Sequence, residues 1–156
     1  MPDPYPAAKF LHVFAVILMV GATFINGVIH GQAKGSTPVE ASALLKVVLL
    51  INRLIMGPSL LLIPLSGYWL MRITNYGLAE GWLLISFVLS LLLLLAYAIG
   101  LRLERRLHSI ATRSMALQNS VLPAEYNRSF LKAAAIGLGA LMMSLAALFL
   151  MIFKPF

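Results

Sequence analysis

Five side chains of a kind seldom spent on a wholly apolar helix recur within the segment Lys9 to His30, KFLHVFAVILMVGATFINGVIH: His12, Met19, Thr23, Asn26 and His30. Their spacings of seven, four, three and four keep all five on one face at about 100° per residue. An imidazole in such a place has two chemistries open to it. It can stay neutral and hydrogen-bond a neighbouring helix, or it can offer one ring nitrogen to haem iron as an axial ligand. For His12 the residues alone leave both open. Eighteen residues separate His12 from His30, roughly 27 Å at about 1.5 Å per residue, so the two mark opposite membrane surfaces and cannot share a ligand. His30, followed by Gly31, reads as a helix-end group that interacts with the last carbonyls. Met19, Thr23 and Asn26 read as packing and hydrogen bonding between helices.

Other chemistries find less support. The chain has no cysteine, which excludes disulfides, thiol catalysis and iron–sulfur ligation. It lacks a nucleophilic triad, a phosphate-binding glycine loop and a metalloprotease motif. Its acidic residues are Asp3, Glu40, Glu80, Glu104 and Glu125, and none falls within an expected apolar core, which disfavours a transporter built on intramembrane carboxylates.

The elements that must position these groups are membrane helices. Of the 156 residues, 61% are hydrophobic and 11% charged, and the mean hydropathy is +0.93. Such a balance describes an integral membrane protein. Apolar runs at residues 10–30, 54–72, 82–101 and 130–153 are each long enough to cross a hydrocarbon core of about 30 Å. The expected fold is all-α: one four-helix transmembrane bundle occupying residues 1–156, with an amphipathic extension between the third and fourth spans.

In chain order, the proline-rich residues 1–8 are expected to be extended. A cleaved leader over residues 1–31 is the competing reading, set against a missing basic excess and an overlong apolar run. Gly31 to Ser36 reads as a flexible connection. Thr37-Pro38-Val39-Glu40 reads as a capping box that starts the second helix at Pro38. Running to Arg72, that helix exceeds the bilayer, with Gly57-Pro58 as the expected bend and Pro64 as a second weak point. Arg53 sits just before the bend, either snorkelling or partnered. Tyr68, Trp69, Tyr76 and Trp82 flank a short turn as interfacial anchors. The third span, with its leucines at 91–95, is expected to face lipid. Beyond it Leu103, Leu107, Ile110, Leu117 and Val121 form one stripe of a basic amphipathic segment on or projecting from the membrane, with His108 solvated. In the last span Ala133, Gly137, Ala140, Ser144 and Ala147 line up small side chains that admit a close backbone or a flat macrocycle.

The net charge of +7 reports topology and anionic lipid rather than nucleic acid. Lys34, Lys46, Arg102, Arg105, Arg106, Arg113, Arg128 and Lys132 flank the long connections, against Lys9, Arg72 and Lys154 at the other end. The excess places those connections in the cytoplasm and both termini outside.

Lys9-Phe10-Leu11-His12, the helix carrying Gly21, then Arg53, Gly57-Pro58 and Ser66-Gly67-Tyr68-Trp69 together resemble a family of four-helix bacterial integral membrane proteins without assigned function. The K-x-L-H entry is distantly similar to that of the HemJ-type protoporphyrinogen oxidases and the CopD-type copper-resistance membrane domains. The resemblance implies a b-type haem held by the histidine at the position of His12. A lysine of a later span, implicated in the HemJ type, has no counterpart, since residues 82–101 contain none. Met71 and Met151 become the candidate second ligands, with Tyr68 behind them, and Arg72 the candidate partner for a propionate. The function expected is a haem b protein of the bacterial inner membrane, engaged in electron transfer or haem-related redox chemistry, with oxidoreductase activity left open. The alternatives are an accessory or assembly subunit of a larger membrane complex and a small metal transporter using scattered methionines. Besides the bilayer, a redox partner, a larger complex or a second copy of the chain are the partners considered.

Overall fold

The structure is a computed structural model, and it describes residues 3–155. Helix α1 spans Tyr5–Lys34, α2 Pro38–Ile51, α3 Gly57–Thr74, α4 Gly81–Ala116 and α5 Ala124–Phe153, with a π-helical turn, Asn52–Met56, joining α2 to α3. Among the described residues four helical stretches are long and apolar enough to cross a membrane: α1, the continuous path Pro38–Thr74, α4 and α5. The all-α four-helix bundle expected from hydropathy is the fold observed. In cross-section α1 lies between α3 and α5, and α4 closes the ring against α5 and α3.

Two expected loops are helical instead. The first helix begins at Tyr5, because Pro6 sits in the first turn, where a missing N–H costs nothing. The Tyr5 amide donates to Asp3 Oδ1 at 3.0 Å. Residues 1–2, part of the stretch read as extended, lie outside the described residues. At the other end α1 continues through Gly31 to Lys34, so His30 stands a turn inside the helix rather than at its end.

The capping box forms as read. Thr37 Oγ1 accepts from the Glu40 amide, and the Glu40 carboxylate accepts from the Thr37 amide at 2.9 Å. These bonds hold the exposed Glu40 carboxyl below its ordinary range. The long second helix then runs unbroken, but widens by one residue just before Gly57-Pro58. Pro58 offers no N–H to the carbonyl of Leu54 and its ring presses on it. The backbone relieves that pressure by a π turn in which the Gly57 amide donates to the Asn52 carbonyl.

Helix α4 is the spine of the second half, 36 residues without a break. Its amphipathic extension projects past the membrane region and packs, rather than lying flat. Leu107 and Ala111 join Ala33, Ala41, Leu45 and Tyr126 in a fully enclosed core, with Ile110 against it. Ser42 and Thr112 bond across the same layer at 3.0 Å. The stripe ends earlier than its sequence pattern: Leu117 and Val121 are exposed, beyond the last helical residue, where Gln118 takes a left-handed φ of 55°. Arg53 is exposed on the outer face.

Tyr126 is buried in this layer and its hydroxyl has no partner among the described residues. Burial pushes its phenol up to about 12 from 10.0. The folded chain therefore keeps the neutral phenol while the unfolded chain ionises first. This contribution is complete below pH 10, and is lost as pH rises toward about 12. Tyr126→Phe is expected to be neutral or stabilising by up to about 1 kcal/mol at pH 8, since it deletes an unpaired buried hydroxyl. It should also flatten the fall in stability between pH 10 and 12. Thermal unfolding in detergent across that range, variant against parent, measures both.

Candidate functional site

The inward face of α1 meets two cavities, one toward the chain termini and one toward the long connections. Met19, Leu60 and Leu93 pack together at mid-bundle and line both.

The cavity on the terminal side has a volume of about 680 Å³ and mostly apolar walls, within the range of small-molecule sites. His12, Met71 and Met151 all line it, so three helices bring together the three residues singled out as ligands. His12 lies against α3. Its Nδ1 is 3.1 Å from the Ile63 carbonyl and 3.0 Å from Ser66 Oγ. A carbonyl only accepts, and the Ser66 hydroxyl donates to the Leu62 carbonyl at 2.6 Å. His12 Nδ1 is therefore the donor to both, and the neutral ring keeps its lone pair on Nε2, which makes no hydrogen bond among the described residues. A backbone carbonyl behind Nδ1 is how proteins fix the tautomer and orientation of a ligating histidine. Gly67 lies beside the ring, where a Cβ would stand 3.4 Å from His12 Cε1, an ordinary van der Waals contact.

Arg72 is exposed and does not line this cavity. The cations that do are Lys9 and Lys154. Lys154 Nζ lies 4.9 Å from the Tyr76 ring centroid and 5.2 Å from that of Trp82. Those two rings meet edge to face at 5.6 Å. Tyr68 and Trp69 point outward as interfacial anchors do, whereas Trp82 is buried in the cavity wall.

The second cavity, about 420 Å³, is bounded by a polar cluster that sequence reading did not assemble. Asn26 Nδ2 donates to Asn52 Oδ1 at 2.8 Å, and Asn52 Nδ2 donates to Glu104 Oε2. His30 Nε2 lies 3.3 Å from Glu104 Oε1. Tyr97 donates its hydroxyl to the Asn52 carbonyl at 3.0 Å, the same oxygen that accepts the π-turn amide. Glu104, read from sequence as lying beyond the span, is thus largely enclosed, at 14% side-chain exposure. His30 is a bonded partner of that carboxylate rather than a cap. Among the described residues no three His, Asp or Glu side chains gather as a metal site.

The small residues of α5 serve both chambers. Ala133, Gly137 and Ala140 line the second cavity, and Ser144 and Ala147 the first. The Ser144 hydroxyl also reaches Met19 Sδ at 3.5 Å.

Residues 6–155 match the family described as "Predicted integral membrane protein (DUF2269)". The chain belongs to the DUF2269 family. Nearly the whole bundle falls inside the matched segment, with every residue that lines the two cavities except Tyr5, and membership agrees with the four candidate spans. No curated protein and no solved structure matches the chain.

Gly57, which follows the π turn, faces Tyr97 of α4. A Cβ there would stand 2.7 Å from the Tyr97 hydroxyl and 3.1 Å from the Asn52 carbonyl. Gly57→Ala is expected to destabilise by about 1–3 kcal/mol, as overpacking does. In a Tyr97→Phe background the closest obstacle is gone, so the same substitution should cost measurably less. A double-mutant cycle on unfolding free energy reads the difference; equal costs in both backgrounds would show that the tyrosine contact is not the constraint.

Proposed function

We propose that this protein is a membrane haem b protein that holds the cofactor in the larger cavity through His12 Nε2. The observation that carries the reading is the Nδ1–H donated to the Ile63 carbonyl and Ser66, which orients a lone pair on a ring lining an apolar chamber of about 680 Å³. The distant similarity of the K-x-L-H entry to the HemJ-type oxidases points the same way.

The donor set suits the group. Met71 and Met151 line the same cavity, and a thioether together with the imidazole would suit haem iron in electron transfer. Lys9 and Lys154, rather than the exposed Arg72, are the lining cations suited to carboxylate substituents. Haem, when bound, supplies one-electron redox chemistry. The chain's own contribution is to orient His12, hold the second ligand, and exclude water with Leu60, Ile63, Leu83 and Leu93. Electron transfer or haem-related redox chemistry is the role that follows, at the bacterial inner membrane. The basic residues around the long connections support a topology with that end in the cytoplasm and both termini outside.

The test is the visible spectrum of protein purified in mild detergent after haem-sufficient expression, oxidised and then reduced with dithionite. The expected result is a Soret band with sharp reduced α and β bands at about one haem per chain, abolished by His12→Ala. Substituting the true second ligand, Met71 or Met151, should change the spin state while the other leaves it intact. A featureless spectrum after reconstitution, or an unaltered one in His12→Ala, contradicts the reading. Cuprous ion bound in place of haem would instead favour the thioether transporter.

A further inference from the structure

The larger cavity can be measured against the bilayer. Met19, Leu60, Leu93 and Ser144 line its inner end, and each lies within one helical turn of the centre of its apolar run. The floor of the chamber is therefore near mid-membrane. Lys9 stands ten residues before Met19 and Lys154 ten residues after Ser144, and Met19 and Ser144 are in contact. At about 1.5 Å per residue both lysines are about 15 Å above the floor, half the depth of a hydrocarbon core of about 30 Å. The chamber is thus one leaflet deep, with two cations at headgroup level.

Rim and shaft differ in chemistry. Lys154 Nζ is held beside the Tyr76 and Trp82 rings, and Lys9 Nζ lies 5.6 Å from the Tyr5 ring centroid. Neither lysine pairs with a carboxylate among the described residues. Within the chamber the hydroxyls of Thr74, Ser86, Ser90 and Ser144 all donate to carbonyls of their own helices, so the shaft offers an occupant little polarity. Val13 and Ile17 of α1 and Leu148 and Ile152 of α5 line the chamber and are themselves exposed. The chamber therefore communicates with the hydrocarbon along the seam between α1 and α5. We propose that it takes up a single-chain anionic lipid, a long-chain carboxylate, from the leaflet on the side of the termini. The carboxylate would sit between Lys9 and Lys154, and the chain would run past His12 to the floor at Leu60 and Leu93. Charge complementarity at the rim and the match of chamber depth to leaflet depth select this occupant, and a volume of about 680 Å³ suits one chain. The assignment rests on rim and shape and not on the haem reading; one chamber holds one occupant, so lipid and haem compete for it.

Trp82 lines the chamber beside Lys154 and is only 6% exposed, which makes it a reporter once the other tryptophan is removed by Trp69→Phe. The haem-free full chain, in nanodiscs of neutral phosphatidylcholine, is titrated with stearate bearing a nitroxide near its carboxyl group, at a pH where the probe is ionised. The methyl ester of the same probe is the uncharged control. The expected result is saturable quenching of Trp82 by the acid, with the ester binding about tenfold more weakly, the scale of two ion pairs at the rim. A nitroxide at the methyl end of the chain should quench less at saturation, because it lies at the floor. Lys9→Gln combined with Lys154→Gln should bring the acid to the level of the ester. Quenching that does not saturate, or that is equal for acid and ester, overturns the proposal. Displacement of the probe by phosphatidylglycerol as readily as by unlabelled stearate also overturns it, in favour of a phospholipid chain. The Soret band of separately reconstituted protein reports haem, so either reading can fail without the other.

Discussion

One buried amide holds the centre of this bundle. Asn52 is 1% exposed, and four of its bonds reach beyond α2: its carbonyl accepts from Gly57 and Tyr97, its Oδ1 from Asn26, and its Nδ2 donates to Glu104. In hydrocarbon, helices gain little from apolar contact with one another, so packing and polar contacts such as these set which faces meet. Through this residue α1, the π turn and α4 are tied at one level. The position of Asn52 in turn depends on Pro58, whose missing N–H opens the turn, and on Gly57, whose bare Cα lets Tyr97 in.

Fixing the three helices at that level leaves space on either side of it. Toward the termini, α1 leans on α3 through the His12 bonds to Ile63 and Ser66, and the larger chamber opens among α1, α3, α4 and α5. Toward the connections, the network itself walls the smaller chamber. Met19, Leu60 and Leu93 form an apolar partition between them. The layer formed by α2, the end of α4 and the start of α5 holds this arrangement from below, with Tyr126 and Leu45 at its core. An imidazole held against α3 on one side of the partition and a carboxylate–amide network on the other give the chambers different chemistry.

Much of this was legible where the signal was local. The capping box at Thr37, the irregularity next to Gly57-Pro58, the polar face of α1 and the small stripe of α5 all follow from residue types and spacing within one helix. Hydropathy alone supported the four spans. The polar cluster was not legible, because Asn26, Asn52, Tyr97 and Glu104 come from three separate segments and no sequence period links them. Glu104 was misjudged for a physical reason. It lies one turn past the apolar run of α4, yet α1 and α2 also extend past the membrane region and enclose it. Arg72 failed in the opposite sense: it has the right depth for the larger cavity but the wrong helical face. Proline and glycine suggest an irregular backbone for residues 5–8 and 31–34, although both residue types are tolerated at the ends of a helix.

The central claim is that Glu104 and Asn52 act as one unit that aligns three helices. The most direct measurement is their coupling energy, from the unfolding free energies in detergent of the parent, Asn52→Leu, Glu104→Leu and the double variant. Removing either partner strands the other in a buried place, so the account predicts strong non-additivity, with a coupling of about 1.5–3 kcal/mol. Additive losses, agreeing within about 0.5 kcal/mol, would contradict it.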